Sequence, residues 1–303
     1  MYKRQVLTGE GGDELFAGYA RYEGEQHSPK FWPLQGLLRK PTCGLARMLP
    51  GMRRAKIALN ALTIGDEATR FANWFPMFSD DAKAELLASD MHHARAGAAA
   101  AFASHLDRTD ARDPLNRMLY VDSKLWLVDY LLLRGDKLTM ANSLEARVPL
   151  LDHKLVEFAA SLPANMKLRG RSRKYLLKQA AGRLIPESII NRPKQGFPIP
   201  IEKWLRNEAR PMMRDLLTRS AIESRGLFRY ERVEKMMKLH ESGYADFATE
   251  LWGLMSFEMW MRQFVDASST NSIAEGPSLD NGHGLTTSRR NNLPTDAAKT
   301  SQT

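Results

Sequence analysis
Residues Leu7 to Tyr19 read LTGEGGDELFAGY: a short apolar run, a turn with three glycines and two carboxylates, then an amphipathic stretch. Strand, glycine turn and helix in that order form the unit of an α/β domain, where ligands bind beyond the carboxyl ends of parallel strands. In this chain the unit stands alone. Gln5 to Thr8 is the one segment that reads as a strand, and every other strong pattern is helical. Either the strand is incidental, or it belongs to a sheet whose other strands lie upstream of residue 1. The second is the expectation here.

The helical signals are clear. Asp13 to Glu23 carries Leu15, Phe16, Tyr19 and Tyr22 at helical spacing, which predicts one helix with acids in its first turn, where the dipole favours them. Asp113-Pro114 opens another, with Pro at its first position, through Leu115, Met118, Leu119, Leu125 and Trp126. Asp152 caps HKLVEFAASL, which stops before Pro163. Residues 173–183 and 246–264 also read as helices, the latter with Trp252, Met255, Phe257, Trp260 and Phe264 as core packing. From Ser268 onward Ser, Thr, Asn, Gly and Pro dominate, too few apolar groups to offset chain ordering. The expected organisation is a domain over residues 1–267 and a disordered tail over 268–303, without internal repeats.

Composition narrows the class. Apolar residues make up 43% of 303, enough for a core. The single cysteine, Cys43, excludes an internal disulfide framework and a zinc site built on cysteines alone. No apolar run reaches the roughly 18–20 residues a bilayer span needs, and no secretory h-region follows the basic start; no membrane partner and a cytoplasmic location are expected. The seven histidines, His92-His93 included, show no metal spacing. The net charge of +9 is concentrated: residues 165–194 hold nine Lys or Arg against Glu187 alone. Such a segment suits the phosphates of a nucleotide. Only Tyr175 interrupts it before Phe197, and no recognisable module accompanies it, so nucleic acid is not the expected partner.

Gly9, Gly11 and Gly12 permit backbone angles other residues avoid and leave amides open to a ligand. Amides at a helix mouth attract phosphate. Glu10 and Asp13 would repel a bare phosphate, so a divalent cation or basic group belongs between them; Asp with Mg²⁺ and a nucleotide phosphate is the usual solution. Glu10 is then free for proton transfer or for a cationic amine. On these residues alone, a structural turn whose Asp13 and Glu14 serve the helix dipole is an equally good account. The turn is neither a Walker loop nor the dinucleotide fingerprint.

Three blocks, in order, resemble the asparagine synthetase family: LTGEGGDELFAGYARY, LRGDKLTMANSLEARVPLLD (Leu133 to Asp152) and LPANMKLRGRSRKYLLKQAAGRLIPESIINRPKQGFPIPIEKWL (Leu162 to Leu205). The resemblance is weak over Glu25 to Ala111 and excludes the tail. It implies the C-terminal synthetase domain, an α/β fold of the adenine nucleotide α-hydrolase kind, seen here as a mostly helical piece with one residual strand. It implies ATP and Mg²⁺ as cofactors, and aspartate and ammonia from a glutaminase domain as substrates. The products it implies are asparagine, AMP and pyrophosphate, formed through an aspartyl-adenylate.

By motif match, Thr8 and Gly9 resemble residues that lie against AMP, with Gly11 and Asp13 also in the cofactor site; Thr8 replaces the common Ser but keeps its hydroxyl. Glu10 resembles the acid near the substrate amine and the incoming ammonia. Asp13 resembles a ligand of the Mg²⁺–pyrophosphate, and Lys174 the lysine that stabilises the charged transition state, a task suited to a point cation on a long stem. Asp136, Glu145 and Arg147 are expected to be wall residues. Arg192 and Lys194 could reach phosphate, but a turn fixed by Pro193 and Gly196 explains them equally well.

The family's Ser-Gly-Gly-x-Asp-Ser loop and its Cys-initiated glutaminase domain do not occur in the sequence. The chain is therefore expected to begin inside the synthetase domain and, alone, to bind ATP weakly or not at all. Two alternatives stand beside this reading: a related enzyme that amidates another acid or closes a lactam ring, and a non-catalytic helical protein with a relict nucleotide pocket. A homodimer is compatible with either.

Overall fold
The structure, a computed structural model, describes residues 4–30, 53–74, 76–89, 91, 97–192 and 199–266. The expected tail lies outside them, as do Cys43, His92, His93, Pro193, Lys194 and Gly196. The chain divides into a unit ending at Met259 and a second unit from Trp260 onward.

The first unit opens with β1 (Gln5–Leu7), the glycine turn, α1 (Gly12–Leu15) and α2 (Ala20–His27). It continues through α3 (Arg53–Leu62), α4 (Glu67–Asn73), α5 (Asp80–Leu86), α6 (Gly97–Leu106) and α7 (Pro114–Lys124). A π-helical stretch, Trp126–Leu132, leads into α8 (Leu133–Ala141), then β2 (Glu145–Arg147) and α9 (His153–Ser161). Next come α10 (Ala164–Lys167), β3 (Leu168–Arg169), β4 (Ser172–Arg173), α11 (Tyr175–Ala181) and α12 (Glu187–Ile190). The last helices are α13 (Ile201–Arg206), α14 (Arg210–Leu216), α15 (Arg219–Arg225), α16 (Tyr230–Glu241) and α17 (Ala248–Trp260). In the second unit, Met261–Asp266 is π-helical and Trp260 lies 6.3 Å, centroid to centroid, from Phe264.

Helices dominate, as expected, but the strand count is corrected. β1 has a partner: β2 pairs with it in parallel, Gln5 opposite Glu145 and Leu7 opposite Arg147. That partner comes from the SLEARVP block, whose charged three-residue strand carries no apolar alternation to announce it. A second pair, β3 with β4, forms an antiparallel hairpin. The single helix expected over Asp13 to Glu23 is also corrected. Ala17 adopts a left-handed backbone at φ 58°, and the Gly18 N–H donates to the Asp13 carbonyl at 2.8 Å. The chain thereby reverses between α1 and α2. Helix α11 likewise starts at Tyr175 rather than at 173, because Lys174 is left-handed at φ 54°.

Local rules hold where a cap specifies the helix. Asp113 accepts from the amides of Leu115 and Asn116 ahead of α7, and Asp152 from that of Lys154 ahead of α9. Tyr22, Phe71, Trp74, Leu115, Met118 and Val121 belong to one hydrophobic cluster of the first unit. Leu205, Met213, Leu217, Val233, Leu251 and Met255 belong to a second. The apolar stripe near the end of the unit is only partly core: Met255 is buried, but Trp252 is 41% exposed. Apolar groups surround α17 on too many sides for one core face to cover.

Candidate functional site at the glycine turn
The turn leaves the sheet at Thr8, whose amide donates to the Arg147 carbonyl at 2.8 Å. The Thr8 hydroxyl oxygen is buried and has no hydrogen-bond partner among the described residues. Gly9 is exposed, with open space where a Cβ would stand. Glu10 is half-buried, and no ion pair or hydrogen bond engages its carboxylate among the described residues. Gly11 and Gly12 behave otherwise. Gly11 is left-handed at φ 86°, and a Cβ there would lie 2.2 Å from Leu151 Cδ2. One on Gly12 would lie 2.9 Å from Leu150 Cδ1. Both are buried. Their lack of side chains admits the leucines that follow β2, and only Gly9 leaves its surroundings open.

Asp13, in the first turn of α1, meets Lys174: Nζ lies 3.0 Å from Oδ1, with the two side chains 28% and 23% exposed. Backbone geometry brings the lysine there. It follows the β3–β4 hairpin, its left-handed φ turns the chain into α11, and its N–H donates to the Phe16 carbonyl at 3.0 Å. Gly18 supplies the clearance, since a Cβ there would sit 1.7 Å from Asp13 Oδ1 and 2.4 Å from Lys174 Cε. The small cluster of Leu15, Phe16 and Ala159, with Leu151 and Leu177 against it, supports the turn from beneath.

The other candidates take separate places. Glu145 accepts from Gln5 Nε2 at 3.0 Å and pairs with Arg147 beside the strands. Asp136 is exposed on α8, and Arg192 is exposed beyond α12. Sequence reasoning missed the covering leucines, Leu150 and Leu151, and the groups behind the turn. Glu14, 1% exposed, accepts from Tyr19 Oη at 2.6 Å. Burial pushes the Glu14 carboxyl up from its ordinary value, against the opposing effect of the Tyr19 hydrogen bond. Burial, then the Glu14 hydrogen bond, raises the Tyr19 phenol well above its own.

A cleft of about 560 Å³ lies elsewhere, lined by Gly65, Glu67, Arg70, Arg112 and Arg117 among others. Its inner guanidiniums are already held, Arg70 by Glu25 and Arg117 by Glu67. Asp13 and Lys174 meet at the glycine turn instead. Among the described residues no group of three or more His, Cys, Asp or Glu is placed for a metal, and no helix is long and apolar enough to cross a membrane.

Residues 3–262 match the family model of asparagine synthase. The chain belongs to the asparagine synthase family. It is 31% identical, over 84% of its length and 40% of the relative's, to glutamine-hydrolyzing asparagine synthetase 1 of Bacillus subtilis (strain 168). It is 33% identical to a putative glutamine-hydrolyzing asparagine synthetase of Mycobacterium bovis, over 89% of this chain and 41% of that one. A more distant relative, amidase chyE of Penicillium rubens, is 25% identical over 77% of this chain and 38% of its own. No solved structure matches. The chain spans about two fifths of the length of the curated relatives it matches.

Proposed function
We propose that the chain forms the carboxylate-activating part of an enzyme that makes asparagine from aspartate, ATP and ammonia derived from glutamine. In this reading the aspartate side chain attacks the α-phosphorus of ATP to give an aspartyl-adenylate and pyrophosphate, and ammonia then displaces AMP. The observation that carries it is the meeting of Asp13 and Lys174, brought from distant parts of the chain to a glycine turn at the carboxyl end of a parallel strand. Family membership and the names of the relatives support the substrate set.

A carboxylate is a poor acylating agent, so fixed cations and donors facing the developing charge are the main catalytic resource. Lys174 is that cation. The buried, unpartnered hydroxyl of Thr8 and the open surroundings of Gly9 fit an approaching nucleotide, while Gly11 shapes the turn. Glu10, whose carboxylate is not engaged, receives the proton or orients the amine. Asp13 supplies one carboxylate, which fits Mg²⁺ only together with phosphate and water oxygens, the usual arrangement for that ion. When bound there, Mg²⁺ would offset the phosphate charge that Glu10 and Asp13 repel.

The two-stranded parallel pair is read as the edge of a larger sheet of the adenine nucleotide α-hydrolase kind. The chain alone is accordingly inactive, and activity needs the region that makes up the rest of the relatives' length. The test is aspartate-dependent ATP–pyrophosphate exchange, with AMP release when ammonia is added, by the protein that includes that region. Turnover with aspartate supports the reading. Turnover only with another acid would move the acceptor, and no turnover with any carboxylic acid would overturn it.

A further inference from the structure
Behind the glycine turn lies a hydrogen bond that the proposed chemistry does not use. Tyr19 Oη donates to Glu14 Oε1 at 2.6 Å, with Glu14 buried. These two residues bracket the reversal at Phe16, Ala17 and Gly18, so their side chains close a short ring of chain. Both members of the Asp13–Lys174 pair depend on that ring. Asp13 immediately precedes Glu14, and its carbonyl accepts from the Gly18 N–H at 2.8 Å. Lys174 docks on the outer side, its N–H donating to the Phe16 carbonyl. Its neighbour Arg173 reaches the Gly18 carbonyl through Nη1 at 3.4 Å and Glu23 Oε1 through Nε at 2.9 Å. Gly18 leaves no slack between the pair.

We propose that Glu14 and Tyr19 are positioning residues: their hydrogen bond, buried at its Glu14 end, holds the Phe16–Gly18 reversal in the one shape that sets Lys174 Nζ against Asp13. A phenol donating to a carboxyl oxygen at this distance is a short, strong bond. It closes the loop on the side of the buried Glu14 carboxyl. The value of the inference rests on the proposed roles of Asp13 and Lys174, but its test does not pass through catalysis.

The test is competitive acetylation of the folded chain with an amine-reactive ester, read at Lys174 by peptide mass spectrometry and normalised to exposed Lys154. Wild-type Lys174 is half-buried and ion-paired, so it labels more slowly than Lys154. Tyr19→Phe keeps the ring, and with it the Arg21 guanidinium 4.4 Å from the ring centre, but removes the donor. The Lys174 rate is expected to rise roughly two- to fivefold, the range an ion pair of this exposure supports. Tyr22→Phe is the control. It removes a more deeply buried donor, whose bond to Asp122 Oδ2 is 2.7 Å, and is expected to lower stability with no change in Lys174 labelling.

If Tyr19→Phe does not fold, Glu14→Gln is read the same way, with a smaller rise expected because its amide oxygen still accepts. A wild-type Lys174 rate in the folded Tyr19 or Glu14 variant overturns the inference, as does an equal rise in Tyr22→Phe. Adding Mg²⁺ and pyrophosphate to the longer protein, with the region that makes up the rest of the relatives' length, separates the two readings. If these do not shield Lys174 while the Tyr19 dependence persists, the proposed function weakens and the positioning role stands.

Discussion
A side chain at position 18 would put its first carbon 1.7 Å from Asp13 Oδ1 and 2.4 Å from Lys174 Cε. Both atoms belong to movable side-chain ends, so Gly18→Ala need not break the fold; it displaces the pair. The expected outcome is a stability loss within about 1 kcal/mol in a urea melt, together with a large loss of AMP release. For the reacting groups themselves, Glu10→Gln and Lys174→Ala are expected to lower the rate of product formation about 100- to 1,000-fold, as removal of one transition-state donor does. Their melting temperatures should stay near wild type, because Glu10 has no partner among the described residues and Lys174 is only half-buried. Unaltered rates would remove those assignments. At this scale the glycine turn with its two carboxylates was legible as a turn, whereas Lys174 was reached only through the family resemblance; the structure brings it to 3.0 Å from Asp13. The separate duties of the glycines were not legible. Gly9 is open while Gly11 and Gly12 admit Leu151 and Leu150, residues far along the chain that no local pattern pairs with them.

Two buried polar devices hold elements together and make predictions of their own. Glu25 on α2 accepts from the Arg70 guanidinium of α4 at 3.0 Å, from Trp74 Nε1 at 2.7 Å and from Ser28 Oγ at 2.9 Å, with Arg70 also donating to the Ile64 and Gly65 carbonyls. Arg70→Met would strand the carboxylate of a residue that is fully buried, so a loss of about 3–5 kcal/mol is expected in chemical denaturation. His240, fully buried on α16, accepts from the Phe247 N–H at Nδ1 and approaches the Glu202 carbonyl through Nε2. That pairing makes Nε2 the protonated nitrogen. Burial, then the charge of Arg206, lowers its pKa, with Asp246 opposing. The unfolded chain therefore takes up the proton first. The contribution is complete above the unfolded value near 6.5 and is lost as pH falls below it toward the lower folded value. His240→Asn should flatten the dependence of thermal stability on pH in that interval, and an unchanged slope would refute the assignment. Caps and apolar spacing made α7 and α9 legible, since those signals are local. The break between α1 and α2 was hidden, because Ala17 is left-handed in a reversal whose flanking carbonyls, Phe16 and Gly18, accept from the distant Lys174 and Arg173.

For the whole molecule, the parallel pair is the informative feature. Parallel strands are usually covered on both faces, and two strands alone make a marginal sheet. Here Leu7 is 73% and Val6 38% exposed. If further strands complete the sheet as proposed, the amides of residues 5–7 should exchange hydrogen quickly in the isolated chain and slowly in the longer protein; equal rates would argue against a larger sheet. The mostly helical make-up and the strand before the turn were legible. The partner strand was not, since pairing across so long a separation leaves no trace in a charged tripeptide. The seam where Phe16 receives the Lys174 amide has an engineering consequence as well. Gly170, at the tip of the β3–β4 hairpin, has nothing within 4 Å of its would-be side chain, whereas Arg173 and Lys174 are tied down on the far side of the same hairpin. A graft of extra residues at the tip would dangle harmlessly in solvent, but one inserted after Arg173 would unhook the lysine. Natural length variation in this ribbon should accumulate at its end and spare its root.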